Sequence, residues 1–297
     1  MSTQAVYSQQ QRLINITTPS LPDTTLLLER FTAEEEMSKP FQFRAMLLST
    51  DDSVDIIRRY QDRLAWWVSE KDRGQTDAIN KGFARATGEL YAYINSDDTL
   101  RPNSLMTAAQ TYRNGHEWIT GWAVFLDSQG DWPQVPMAHA NDVDWILTNP
   151  LCQQSTYWSS RLSKELGPFR EDMHYAFDYE FWLRIWFIAK VKPLMLHQCL
   201  GGFRLHDTSK TVSQANAFEP EFREVRAHYR QYLTPSERRD VDEYFDDEAL
   251  KTHTRAAWAA LLKRDVIAAR EHARKVFHLA PFCVRTWKLM LCAIRGH

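Results

Sequence analysis

The stretch SEKDRGQTDAINKGFARATGELYAYINSDD, Ser69 to Asp98, constrains the fold more than any other part of the chain. It opens on a charged turn containing one glycine. Asp77 can cap a helix, residues Ala78 to Thr87 have helical character, and Gly88 can stop it. ELYAYI then alternates as a strand does, and Asn95, Ser96, Asp97 and Asp98 fall at its carboxyl end. A helix that runs straight into a strand, with polar residues massed at the strand's end, is a unit of an α/β sheet.

The flanking segments extend the pattern. RLINITTPS (Arg12 to Ser20) and FQFRAMLLS read as strands, and the segment between them reads equally as strand or helix. SVDIIRRYQDRL is an amphipathic helix, AWWVSE a short strand, and PNSLMTAAQTYRNG a helix that starts at Pro102 and ends at Gly115. WITGWAVFLD is a further strand, residues 131–150 read as an irregular loop, and DYEFWLRIWFIAK is a helix rich in aromatics. From about Ala215 the chain is helical, with a boundary near LTPSERRD, and 255–294 reads as a helical hairpin or part of a helical repeat without a clear period. The expected fold is therefore α/β, a Rossmann-like, mostly parallel sheet with flanking helices, followed by a C-terminal helical region. The expected division is 1–48, 49–214 and 215–297.

Composition excludes some classes of function. A net charge of −2 over 297 residues gives no bulk attraction to nucleic acid. Cys152, Cys199, Cys283 and Cys292 lack metal-type spacing and read as reduced thiols of a cytosolic protein. MSTQAVYSQQQR has no signal-peptide character, and no apolar run is long enough to span a bilayer. The many aromatics are either core or the walls of a sugar cleft.

Ligands of open α/β sheets bind outside the carboxyl ends of the strands. Two carboxylates at such a point repel one another unless a cation lies between them. Mg²⁺ or Mn²⁺ would do so and leave coordination positions for phosphate oxygens. The turn Asp72, Arg73, Gly74 offers a guanidinium and backbone N–H groups suited to a nucleotide. On spacing alone, capping of the helix that follows explains Asp97 and Asp98 equally well.

Five pieces in order, STDDSVDIIRRY, WWVSEKDRGQTDAINKGFARATGELYAYINSDD, CQQSTYW, HYAFDYEFWLRI and FRLHDTSKT, resemble the family 2 glycosyltransferases, which have the GT-A fold, over residues 49–210. The resemblance implies that Asn95–Ser96–Asp97 corresponds to the metal motif, with Asp97 as metal ligand, Asp98 supporting it and His206 assisting. It implies donor contacts at Asp72, Arg73, Gly74, Asp77, Asn80 and Lys210. It also implies Asp178 as catalytic base, with Glu180 as the second candidate. Gln154 and Trp158 could touch the acceptor, although Trp158 is equally a core residue. Without the resemblance, Asp178 reads as a first-turn helix acid and His206 as a structural histidine.

The implied activity is inverting transfer of a sugar from a nucleotide-sugar donor, UDP-linked, to a glycan or lipid-linked acceptor, as in polysaccharide assembly. The implied partners include no nucleic acid. The implied location is the cytoplasm, with peripheral contact at the inner face of the membrane open. At one point the pattern breaks: Met46, Leu47 and Leu48 stand where the family has Asp-Gly-Gly, whose Asp holds the base. Residues 12–55 are instead similar to the N-terminus of type VI secretion spike (VgrG-like) proteins, which suggests a fusion within Ser49–Asp55. Two alternatives follow: a catalytically impaired GT-A-like remnant acting as a binding module, or, on residues 12–55 alone, a secretion component.

Overall fold

The computed structural model describes residues 12–19, 41–48, 53–95, 97–127, 130–134, 136, 140–205, 210–214, 217–281 and 284–296. The segment between the first two expected strands, the junction at 49–52, Ser96 and His206 lie outside the described residues.

Among the described residues the strands are β1 (Arg12–Pro19), β2 (Phe41–Leu48), β3 (Trp66–Ser69), β4 (Leu90–Tyr91), β5 (Tyr93–Ile94), β6 (Thr99–Leu100), β7 (Trp118–Asp127), β8 (Gly130–Gln134), β9 (Thr156–Ser159) and β10 (Leu194–Arg204). They form two sheets. The first has the order β3-β2-β1-β5 and is parallel throughout. β1 and β2 pair over their full length, from Arg12↔Phe41 to Pro19↔Leu48, so both N-terminal segments enter the sheet as strands. The second has the order β4-β9-β7-β10-β6, with β8 also paired to β7. In it only β7 and β10 run parallel; the other pairs are antiparallel. The mostly parallel expectation thus holds for one sheet and not for the other.

ELYAYI does not form one strand. Leu90 and Tyr91 pair with β9 in the second sheet, while Tyr93 pairs with Asn15 in the first. This short segment joins the two sheets, and both of its halves are buried. Asn95 to Asp98 leave the junction at the carboxyl end of β5.

Other boundaries move for identifiable reasons. The helix after β3 is Gln75–Ala84, and its N-cap is Gly74 at φ 128°, a conformation that glycine adopts without strain. Asp77 therefore sits inside the first turn rather than at the cap. Residues 131–150 are not an irregular loop. They hold most of β8 and the helix Asp142–Leu147, which is closed by an Asn141–Asp144 capping box. Asn103, not Pro102, precedes the helix Ser104–Arg113. The aromatic helix Phe177–Leu183 continues as a π-helical turn over Arg184–Ala189.

Many of the aromatics are core. Trp118, Trp145, Trp158 and Trp182 are all fully buried. Trp158 meets Trp182 edge-on with ring centroids 5.2 Å apart, and Phe169 meets Phe181 in the same way at 4.8 Å. Such pairs add about 0.5–1.5 kcal/mol beyond area burial. This core does not stop at residue 214. Val225 and Tyr229 of the helix Phe218–Tyr229, with Leu233 and with Val241 of the helix Pro235–Asp246, belong to it. LTPSERRD is the start of that second helix: Thr234 and Glu237 form its capping box, and Pro235 opens its first turn.

A separate apolar cluster begins at Leu250. It holds together the helices Glu248–Leu262, Val266–Leu279 and Val284–Arg295, the expected hairpin with one more helix packed on it. No described helix is long and apolar enough to cross a membrane. Cys152 is buried and Cys199 and Cys292 partly so, all three as free thiols.

Candidate active site

The carboxyl ends of β5 and β10 meet around Asp98, which is 1% exposed. Its Oδ1 accepts the Arg204 backbone N–H at 3.1 Å, and its Oδ2 accepts the side-chain amides of Asn95 at 3.1 Å and Gln154 at 3.2 Å. Burial and the neighbouring Asp97 charge push the Asp98 carboxyl well above the usual carboxylate range, against these three donors. Gln154 reaches this point because β10 crosses very close to the turn that carries it. A Cβ on Gly201 would lie 2.5 Å from the Gln154 carbonyl oxygen.

Asp97 is only half-buried, and its backbone carbonyl accepts the Arg204 side chain at 3.0 Å. Both Asp98 oxygens are enclosed by donors, and Asp97 is the more exposed carboxylate of the pair. Among the described residues no group of three or more His, Cys, Asp and Glu is arranged around a metal position. One carboxylate completed by phosphate oxygens is nonetheless a donor set that Mg²⁺ accepts, so the residues fit a cation that arrives with a diphosphate.

A chain of side-chain hydrogen bonds leads from Asn95 toward the donor turn. Gln75 Nε2 donates to Asn95 Oδ1 at 2.6 Å, and Lys210 Nζ donates to Gln75 Oε1 at 2.9 Å and to the His174 carbonyl at 3.2 Å. Burial lowers the Lys210 pKa, with the Glu221 charge opposing. Gln75 and Arg204 are site residues that the sequence reading did not single out, although both stand inside the quoted motifs.

The rest of the predicted donor turn is locally committed. Asp72 Oδ1 accepts the Gly74 N–H at 2.9 Å and shapes the turn. Arg73 gives its backbone N–H and its guanidinium to Asp77, each at 3.0 Å, and also pairs with Glu171. Burial alone would raise the Asp77 pKa, but Arg73 and Lys81 outweigh it and hold the carboxyl low. Asn80 donates to the Phe169 carbonyl at 2.8 Å and accepts the Phe169 N–H at 2.9 Å, pairing like a strand with the loop beyond residue 167. Asp77 and Asn80 therefore hold the architecture beneath the turn.

Asp178 lies in the first turn of the helix Phe177–Leu183, with Oδ1 2.6 Å from the Tyr179 N–H. Burial pushes its carboxyl up to about 6, against hydrogen bonds that include one from the Asn149 side chain. The loop before it is pinned from outside: Glu221 accepts the backbone N–H groups of His174, Tyr175 and Ala176, all at 2.8 Å. Glu180 is committed elsewhere, to Arg184 at 2.8 Å and to the Tyr229 hydroxyl at 2.9 Å. Trp158 is core, its indole N–H on Ser163 Oγ at 2.7 Å.

The two carboxylate positions share a neighbour. Burial raises the buried Tyr93 phenol, and the charges of both Asp178 and Asp98 raise it further. A cavity of about 580 Å³ is lined by Asn149 and Thr211, by Phe222 and Arg226 of the helix Phe218–Tyr229, and by Trp258 and Lys288 of the C-terminal helices.

Residues 48–170 match the family model described as Glycosyl transferase family 2. An uncharacterized glycosyltransferase of Nostoc sp. is 27% identical over 187 residues, 57% of this chain and 56% of that protein. A Mycobacterium tuberculosis protein described as an uncharacterized glycosyltransferase is 27% identical over 46% of this chain and 53% of its own length. The matches thus span about half the length of these relatives. Among solved structures, S. aureus TarS 1-349 in complex with UDP-GlcNAc aligns at a TM-score of 0.57 and 15% identity, covering 95% of this chain and 87% of that one. The mannosyltransferase PcManGT of Pyrobaculum calidifontis, in complex with GDP-Man and Mn²⁺, aligns at 0.55 and 16% identity, over 97% and 86%. The chain has the GT-A glycosyltransferase fold, and its central part is similar in sequence to glycosyltransferase family 2.

Proposed function

We propose that the protein is an inverting glycosyltransferase that moves a sugar from a nucleotide-sugar donor, UDP-linked, to a glycan or lipid-linked acceptor. The observation that carries this reading is the position of Asp178. Its carboxyl titrates near 6, its partner Asn149 lines the large cavity, and Tyr93 links it electrostatically to the Asp98 corner. A general base works best with a pKa close to the operating pH. Asp178 takes the proton of an acceptor hydroxyl entering from the cavity, and that oxygen attacks the anomeric carbon opposite the leaving diphosphate. With a single base and direct displacement, the sugar's configuration inverts.

The other residues bind and orient. Asp97 would hold Mg²⁺ or Mn²⁺, which would neutralise charge on the leaving diphosphate. Asp98 fixes the loop that carries Asp97 instead of supplying a second ligand. Lys210, at the end of the Asn95–Gln75 chain, meets the donor's anionic side. Asp72, Gly74, Asp77 and Asn80 shape the donor turn from beneath. His206 follows β10 in sequence, next to Arg204 and Leu205, and is proposed to assist the metal. The structural neighbours that carry UDP-GlcNAc and GDP-Man support a nucleotide-sugar donor.

The first test is calorimetric titration with UDP, with and without Mn²⁺, on the wild type and Asp97→Ala. Metal-dependent binding that the variant loses supports the assignment; metal-independent binding of equal strength in both removes it. The end of β2 favours a second reading. Met46 to Leu48 offer no carboxylate to a base, as in a scaffold that keeps its fold and has lost donor selection.

A further inference from the structure

Charge is distributed very unevenly along this chain. Residues 251–297 carry ten Lys and Arg against two Asp and Glu, a formal charge of +8 in a protein whose total is −2. The remaining 250 residues therefore sum to −10.

The same segment carries most of the exposed large apolar side chains among the described residues. The helices Val266–Leu279 and Val284–Arg295 form an antiparallel hairpin. Arg270, near the start of the first, donates to the Ala293 and Ile294 carbonyls at the end of the second, at 2.9 and 2.6 Å. At the other end the Phe277 and Trp287 rings meet at 4.9 Å. One face of the hairpin is buried through Ala269, Ala273, Val276, Leu289 and Ala293. Trp287, Leu291 and Ile294 recur at helical spacing on a different face and are 52%, 51% and 57% exposed. Ile267, 82% exposed, stands at the start of the neighbouring helix, where the last helix ends. The fold's own core does not use this stripe. The same two helices carry the exposed cations Arg274 and Arg295, and Lys275, which pairs with Glu271 at 2.7 Å.

We propose that this hairpin face docks the protein on an anionic lipid surface, with the Trp287–Leu291–Ile294 stripe entering the headgroup layer. An apolar stripe on helices that carry Lys and Arg, with an aromatic near its edge, is the composition of a helix that lies in a membrane interface. A second copy of the chain fits less well, because it would bring two surfaces of the same net positive sign together. Nucleic acid would use the cations but would leave the apolar stripe in water. The proposal does not depend on the donor or on the catalytic assignments.

The test is sedimentation of the full chain with vesicles of phosphatidylcholine alone or mixed with phosphatidylglycerol, containing no glycan acceptor. The expected result is binding to the anionic vesicles at least tenfold tighter than to the neutral ones. Trp287→Ser with Leu291→Ser should weaken it more than tenfold, and Arg274→Glu with Lys275→Glu should do so through charge alone, each variant remaining a folded monomer by circular dichroism and light scattering. Equal sedimentation with neutral vesicles, or no sedimentation with either, overturns the proposal. So does a wild type that is a dimer which the apolar variant dissociates, since the stripe is then a contact between copies. Salt-sensitive binding to DNA without vesicle binding likewise overturns it.

Discussion

Gln75 donates its side-chain amide to Asn95 over 2.6 Å, tying the first turn of one helix to the end of the strand that delivers Asp97 and Asp98. The bond lies between Lys210 on one side and Asp98 on the other. Gln75→Leu keeps the volume and removes both polar contacts. The expected result is donor KM raised about tenfold or more, the loss of one neutral and one charge-assisted hydrogen bond, with a smaller change in kcat. Steady-state kinetics with varied donor measure it. A loss in kcat alone would place Gln75 outside the donor pocket.

Asp178 must be ionised to accept a proton, and its carboxyl, pushed up by burial to about 6, lies above the ordinary aspartate value of 3.8. Activity should therefore rise with pH through about 6 and level off above it. The same shift acts on stability with the opposite sense. The raised pKa favours the protonated folded state, so stability declines as pH rises from the unfolded value toward the folded one. Asp178→Asn should then stabilise the fold at pH 7, by roughly 1–3 kcal/mol, and by little at acid pH. Thermal unfolding of both proteins at the two pH values checks the sign.

Glu221 holds three successive backbone N–H groups immediately before the helix that carries Asp178. Glu221→Gln keeps one acceptor oxygen and removes the charge. The expected outcome is a loss of kcat of about tenfold or more with a smaller loss of donor affinity, because charge-assisted bonds of about 1.5–3 kcal/mol position this loop and the same charge supports Lys210. Donor calorimetry beside turnover separates this from general unfolding.

Gly201 passes the Gln154 carbonyl so closely that an added Cβ would lie 2.5 Å away. Gly201→Ala must push β10 or the Gln154 turn aside and so disturb the bonds to Asp98. Destabilisation of about 1–3 kcal/mol is expected, typical of overpacking, together with weakened metal-dependent nucleotide binding. Denaturant unfolding and calorimetry measure the two effects. Unchanged nucleotide binding would mean that Asp98 does not depend on this contact.

β2 ends in Met46, Leu47 and Leu48, without the carboxylate that accepts a base N–H in the resembling family. Selection among nucleotides should be shallow. UDP, GDP and other nucleoside diphosphates should compete within about tenfold of one another, given the 1–3 kcal/mol that one such charged bond contributes. Competition binding with a labelled nucleotide reads this directly. A preference above a hundredfold would mean that another group reads the base.

The local chemistry of the site was legible in the sequence, and its long-range partners were not. The helix-strand-carboxylate order of Ser69 to Asp98 appears in the fold because each step has a local signal: the Gly74 turn, the helical run, the alternation of ELYAYI. That ELYAYI divides between two sheets depends on β1 and β9, which periodicity within six residues cannot reveal. The donors around Asp98 were not legible, because Gln154 and Arg204 lie 56 and 106 residues further along. Asp77 read as a cap because an acid beside a helical run commonly is one. The glycine at positive φ three residues earlier took that position. The shortness of the capping signal at Asn141 hid the helix within 131–150.

The most direct test of the central claim is release of nucleoside diphosphate from a panel of nucleotide sugars with Mn²⁺, comparing the wild type with Asp178→Asn while calorimetry follows donor binding. The account predicts turnover by the wild type and a fall of about 10²–10⁴-fold in the variant, the range for loss of a general base, with donor affinity retained. Turnover by Asp178→Asn within a factor of a few of wild type would contradict it.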